Sequence, residues 1–224
     1  MTVLRFQDVG VRYPGDDRPA LDGCTMEVAA GERVALVGGN GSGKTTILLA
    51  TVGLVPHTGR IDVCGERLDP ADPSHARRNA SLLFSNPEDQ ILFPRVLDDV
   101  AFSLTSRGVR DDVAAARARS TLDRLGAGAL ADRSPYRLSR GQRLRVALAA
   151  TLVVEPPLLL LDEPTSGLDP AGLRALTAQL SALPAAMLVA THDLAFARQC
   201  CQRYLWMDRG RVVQSGTSFD DVSL

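Results

Sequence analysis

Gly38-Gly39-Asn40-Gly41-Ser42-Gly43-Lys44-Thr45 follows the G-x-x-x-x-G-K-[ST] pattern, a set of residue types and spacings suited to holding phosphate. Glycines let backbone N–H groups wrap phosphate oxygens, and a helix starting just after them adds the positive end of its dipole. Lys44 can then reach the β- and γ-phosphates, and the hydroxyl of Thr45 can face Mg²⁺. Gly38, Asn40, Gly41, Ser42, Gly43, Lys44, Thr45 and Thr46 are the expected nucleotide-binding residues. The bland alternative, a glycine-rich turn with a surface lysine, requires four glycines, a Lys-Thr pair and a strand-to-helix setting to coincide by chance. The pattern points to a nucleoside triphosphate and leaves the reaction open.

A second cluster narrows the reaction. Leu158-Leu159-Leu160-Leu161 reads as an apolar strand ending in Asp162-Glu163, and ligands of open parallel sheets gather at the carboxyl ends of strands. Asp162 suits a Mg²⁺ partner acting through the metal's waters, and Glu163 can orient and deprotonate an attacking water, so hydrolysis is expected. Standing alone, Glu163 could equally cap a turn before Pro164. Leu138-Ser139-Arg140-Gly141-Gln142 precedes a helix start and by itself could equally be an ordinary capped helix or a second anion-binding surface.

Several elements must position these groups. Val3–Phe6, Thr25–Ala29 and Arg33–Val37 have strand-like content separated by turn clusters, so the N-terminal third is β-rich. A helix is expected from Gly43 through Leu54. The apolar runs Leu158–Leu161 and Met187–Ala190 each precede a helical stretch, which implies a parallel sheet flanked by helices. Strand signals vanish between about Asn86 and Val154, where Asp111 is placed to cap an Ala- and Arg-rich helix and Gly141 to open an apolar one. The 224 residues form one expected domain, with a core of 1–85 and 155–224 and a helical subdomain at about 86–154.

Composition excludes some functions. A formal net charge of -1 offers no electrostatic case for binding nucleic acid or an anionic membrane surface. The longest aliphatic run is far short of the roughly 20 residues that span a bilayer, and the polar start lacks a secretory signal's apolar stretch. The chain therefore reads as cytoplasmic. Cys24, Cys64, Cys200 and Cys201 lack paired metal-ligand spacing and read as reduced packing residues.

Taken in order, these motifs resemble those of ABC ATPases over essentially the full length. The phosphate loop comes first, then the signature Leu138–Gln142, the acidic strand, Ser166-Gly167-Leu168-Asp169 and Thr191-His192-Asp193. The resemblance implies an α/β fold: a RecA-like P-loop NTPase core of parallel strands, an N-terminal antiparallel β subdomain and a helical ABC-specific insertion. It implies two subunits packed head-to-tail, a homodimer being favoured, with Ser139, Gly141 and Gln142 of one closing over the γ-phosphate held by Lys44 and Thr45 of the other. It further implies that His192 contacts the γ-phosphate, that Asp169 links the two sites and that Tyr13 stacks on adenine. Lys44, Glu163 and His192 make up the expected catalytic set, with ATP as substrate and Mg²⁺ at Thr45 and Asp162. Arg140 departs from the family's usual glycine.

Phe84-Ser85-Asn86-Pro87-Glu88-Asp89-Gln90, followed by Leu97-Asp98-Asp99-Val100, resembles the coupling region of energy-coupling factor importers, which take up cobalt, nickel or vitamins. Cobalt is the leading expected cargo. A transmembrane coupling subunit and a substrate-binding membrane subunit are the implied partners, placing the chain on the inner face of the cell membrane. Gln90 is assigned to docking on the transmembrane partner. Ser85 stands where the family usually has a glutamine that reaches Mg²⁺, so it is expected to act only through water. Members of that group commonly carry a longer C-terminal region, and here the sequence ends at Leu224, so dimerisation is expected to depend on ATP and the membrane subunits. Another ABC importer or exporter, or a soluble ABC protein acting on ribosomes or DNA, are the alternatives.

Overall fold

The computed structural model describes residues 1–219, so the C-terminal end at Leu224 lies outside the described residues. The chain forms two compact units, one of residues 1–82, 157–163 and 183–224, the other of residues 83–156 and 164–182.

The first unit holds two sheets. β1 (Thr2–Val11), β2 (Leu21–Ala29), β4 (Thr58–Val63) and β5 (Glu66–Arg67) form an antiparallel sheet in the order β2-β1-β4-β5. Alternation along β2 buries Leu21, Cys24, Met26 and Val28 and leaves the residues between them more open, as expected for a strand with one face on a core. The second sheet contains β3 (Arg33–Val37), β6 (Ala80–Leu83), β7 (Leu158–Asp162), β8 (Ala186–Ala190), β9 (Arg203–Asp208) and β10 (Arg211–Gly216), in the order β10-β9-β3-β8-β7-β6. β9, β3, β8 and β7 run parallel, and β7 and β8 are buried throughout, which is why they read as unbroken apolar runs. Leu4, Phe6, Leu36, Ile47, Leu160 and Leu188 join both sheets and α1 (Lys44–Thr51) in one core. Truncating a residue such as Leu160 to alanine should cost about 2–5 kcal/mol.

Register decides where the motifs end up. Leu36 of β3 pairs with Ala190 of β8, and Ala190 pairs with Asp162 of β7. The carboxyl ends of three strands distant in sequence therefore lie side by side. α1 stops at Thr51, short of the expected Leu54, because Gly53 enters a left-handed turn (φ 64°). α2 (Ser74–Asn79) and α7 (Leu194–Cys200) complete the helices of this unit. Burial pushes the Cys24 and Cys201 thiols up to about 12, as suits packing residues.

The second unit is helical. α3 (Val96–Thr105), α4 (Asp111–Arg124) and α5 (Arg140–Leu152) pack together, α4 through the stripe Ala114, Ala118, Thr121 and Leu122. Asp111 does not cap α4. Arg110 holds the N-cap position without a side-chain capping bond, and Asp111 sits in the first turn, where its charge complements the helix dipole. Residues 164–182, placed with the core from sequence, cluster here instead, because α6 (Pro170–Ser181) shares a cleft with α4 and α5 lined by Leu125, Leu144, Leu148, Leu168 and Leu176. No described helix is long and apolar enough to cross a membrane.

Candidate functional site

The phosphate loop bridges β3 and α1 and depends on glycines at two tight points. Gly38 has φ 151°, and a Cβ there would lie 2.3 Å from the Met207 carbonyl oxygen. Gly43 occupies the N-cap of α1 at φ 106°, where a Cβ would lie 2.6 Å from the Ala20 carbonyl oxygen. No side chain caps α1. The buried Ser42 Oγ has no hydrogen-bond partner among the described residues. An uncapped helix start beside an unpartnered hydroxyl fits an anion, and both belong to the loop that the motif assigns to phosphate. Gly39, Asn40 and Gly41 are exposed on the same loop.

Lys44 is buried, and its ammonium donates to the carbonyls of Gly38 (2.8 Å) and Gly39 (3.0 Å). Burial pushes its pKa down, while the charges of Glu163 and Asp162 push it up. Thr45 Oγ1 donates to Asp162, 3.0 Å from Oδ2 and 3.2 Å from Oδ1. A hydroxyl and a carboxylate converging from 117 positions apart form an oxygen-rich pair suited to a hard divalent cation. Thr46 meets the hydroxyl of Tyr13 at 3.4 Å. Tyr13 lies just beyond β1, half-buried against the core and adjoining the loop's helix.

Glu163 follows β7 in a left-handed conformation (φ 46°), unusual for a side-chain-bearing residue, and its N–H donates to the Ala190 carbonyl at 2.8 Å. Its Oε2 accepts from Thr191 Oγ1 (3.4 Å) and the His192 N–H (3.4 Å) and lies 2.9 Å from His192 Nδ1. The Glu163 side chain is 19% exposed, whereas that of His192 is 67% exposed. A carboxylate aimed by a backbone bond and an imidazole can orient a water and take its proton. In the sequence Thr191 is only a letter of the Thr191-His192-Asp193 motif. It is fully buried and also accepts from the Asp193 N–H, so it braces this corner.

The second unit carries the other motifs. Ser139 is the N-cap of α5: its Oγ accepts from the Gln142 N–H (3.3 Å), and Gln142 Oε1 accepts from the Ser139 N–H (2.9 Å). Gly141 is half-exposed in the first turn, and Arg140 bonds Ser166. Asp169 caps α6 by accepting from the Gly172 N–H at 2.7 Å, a role its sequence position did not suggest. Arg143 bonds the Leu138 carbonyl and pairs with Glu88. Ser85 sits in an exposed turn after β6.

Gln90, expected to dock on the transmembrane partner, makes bonds within its own chain. Its Oε1 accepts from the Phe84 N–H, and its Nε2 donates to the Ala147 carbonyl and Thr151. The side chain braces its own loop against α5.

Residues 21–166 match the family model described as ABC transporter. A Gloeobacter violaceus protein assigned to the ABC transporter ATP-binding proteins is 45% identical, over 96% of this chain and 89% of its own. The energy-coupling factor transporter ATP-binding protein EcfA of Methanothermobacter thermautotrophicus is 34% identical, over 97% of this chain and 72% of its own. Among solved structures, cbiO1 of Clostridium perfringens, part of the ABC transporter complex cbiONQ, superposes with a TM-score of 0.83 at 32% identity, over 96% of this chain and 88% of that one. The dimeric ATP-binding cassette MJ0796, bound to ADP and Pi, superposes with a TM-score of 0.87 at 26% identity, over 96% and 98% of the two chains. The expected α/β P-loop fold and the resemblance to energy-coupling factor ATPases are both supported by these matches, and the chain belongs to the ABC transporter ATP-binding family, whose members hydrolyse ATP.

Proposed function

We propose that this chain is the ATPase subunit of an energy-coupling factor importer, working as a dimer on the inner face of the membrane and powering uptake of a transition-metal ion, cobalt first, or a vitamin. The observation that carries this reading is the segment Phe84–Gln90 with its acidic helix start Asp98-Asp99, seen with the likeness to EcfA and cbiO1. The dimer is supported by the MJ0796 cassette and by the presence in one chain of a signature motif at the start of α5 besides the phosphate loop at the start of α1.

In this reading Lys44 compensates the charge of the β- and γ-phosphates, and Gly38, Asn40, Gly41, Ser42, Gly43, Thr45 and Thr46 line them. Thr45 and Asp162 are the residues that would hold Mg²⁺, which supplies charge compensation when bound. Glu163 accepts the proton of the attacking water as its oxygen bonds to the γ-phosphorus and ADP leaves. His192 orients Glu163 and faces the γ-phosphate. Ser139, Gly141 and Gln142 of the second chain close the site, Asp169 links the two sites and Tyr13 stacks on adenine. Ser85 reaches the metal only through water.

Isolating the tagged chain from detergent-solubilised membranes should recover integral membrane partners, and cells carrying the complex should accumulate radioactive cobalt in an ATP-dependent way. Recovery of ribosomes or DNA without a membrane protein would refute the importer reading. Accumulation of a vitamin in place of cobalt would replace the cargo alone.

A further inference from the structure

We propose that Arg140 is a positioning residue that latches the signature loop to the segment Ser166–Asp169, so that these two elements move as one body; its effect on the ATP site rests on the two-chain reading above. Arg140 is the first residue of α5, where a cation opposes the helix dipole, and Ser139 with Gln142 already caps that helix. Helix stability therefore does not account for an arginine here.

Its contacts do. Arg140 Nη2 donates to Ser166 Oγ at 3.0 Å. The rest of the side chain lies on Gly167, where a Cβ would come within 2.6 Å of Arg140 Cδ and Nε and 3.3 Å of Cζ. Gly167 also has φ 79°, so this position is suited to glycine twice over. Leu168 continues the contact: its Cδ2 would lie 3.7 Å from a Cβ on Gly141 and 3.3 Å from one on Gly172. It packs between the starts of α5 and α6, and Asp169 caps the latter. A polar bond, a glycine-enabled approach and a leucine wedge thus join the two segments, and the arginine is what a glycine at position 140 would lack.

Amide exchange in the nucleotide-free chain tests the latch. Arg140→Ala should raise exchange across residues 166–172 by about 2- to 10-fold, the scale of a lost solvent-exposed hydrogen bond. Gly167→Ala should do the same, and its added effect should be smaller in an Arg140→Ala background, because the displaced side chain is already gone. Introduced into Glu163→Gln, Arg140→Ala should raise the ATP concentration for half-maximal dimerisation by a similar factor. Unchanged exchange across 166–172 would overturn the latch. Faster exchange with unaltered ATP dependence of dimerisation would overturn its positioning role. A Glu163→Gln chain that stays monomeric at saturating ATP would instead overturn the two-chain reading, and the positioning role with it.

Discussion

The starts of α1 and α5 face the same physical problem, a first turn of amides without helical partners, and answer it differently. At α1 the N-cap is Gly43 with no side chain to offer, Ser42 Oγ is buried without a partner among the described residues and Lys44 lies over the loop carbonyls. At α5 the chain satisfies its own groups through the reciprocal Ser139–Gln142 box. The phosphate loop is thus built around something it does not itself contain, whereas the signature loop is complete as it stands. Capping does not disqualify Ser139 from phosphate binding, since the hydroxyl accepts from the Gln142 N–H and keeps its own proton to donate outward.

The largest effect expected from breaking this contrast is at the phosphate loop. Lys44→Ala should take ATP turnover below detection while leaving the fold intact, because the β- and γ-phosphate charge loses its ammonium in a largely dehydrated loop. Retained affinity in a nucleotide titration would remove Lys44 from the site. Next comes Glu163→Gln, whose amide cannot accept a proton. Hydrolysis should slow about 10²- to 10⁴-fold with binding preserved, and gel filtration with ATP and Mg²⁺ should show a trapped dimer.

A paired substitution addresses the comparison itself. Ser139→Ala breaks the box and should cost about 1 kcal/mol of stability, lowering the Tm of the nucleotide-free chain by about 2–4 °C. Ser42→Ala removes a hydroxyl that has no partner among the described residues, so it should leave that Tm unchanged or raise it, and show its cost only as weaker ATP binding. Equal destabilisation by both would erase the distinction between the loops. The smallest effect is expected at Ser85, outside both. Ser85→Gln should modestly raise turnover and lower the Mg²⁺ concentration for half-maximal activity, and a titration in which neither Ser85→Gln nor Ser85→Ala moves either quantity would place residue 85 beyond the metal's reach.

Much of the fold was legible because its signals are local. Unbroken apolar runs at Leu158–Leu161 and Met187–Ala190 identify buried parallel strands, and the loss of strand pattern after Asn86 marks the helical unit. Residues 164–182 were misjudged because the helical pattern of α6 does not say which neighbour its leucines will find. The bracing bonds of Gln90 are illegible for a related reason: its partners Ala147 and Thr151 lie more than fifty positions away.

By itself, the sequence determined the chemistry available at each motif. Glycine spacing before Lys44-Thr45, two acids closing an apolar strand, and Ser-x-Gly-Gln at a helix start are fixed by short-range backbone geometry, and their order along the chain is enough to identify the family. Only the tertiary structure decided which groups meet. The strand order β3-β8-β7 brings Leu36, Ala190 and Asp162 into register, and from that follow the Thr45–Asp162 pair, the Ala190 carbonyl that holds the Glu163 backbone, and the bracing of Glu163 by Thr191 and His192. Strand neighbours are chosen by burying both faces of the sheet at once, a condition on the whole core that no single segment encodes.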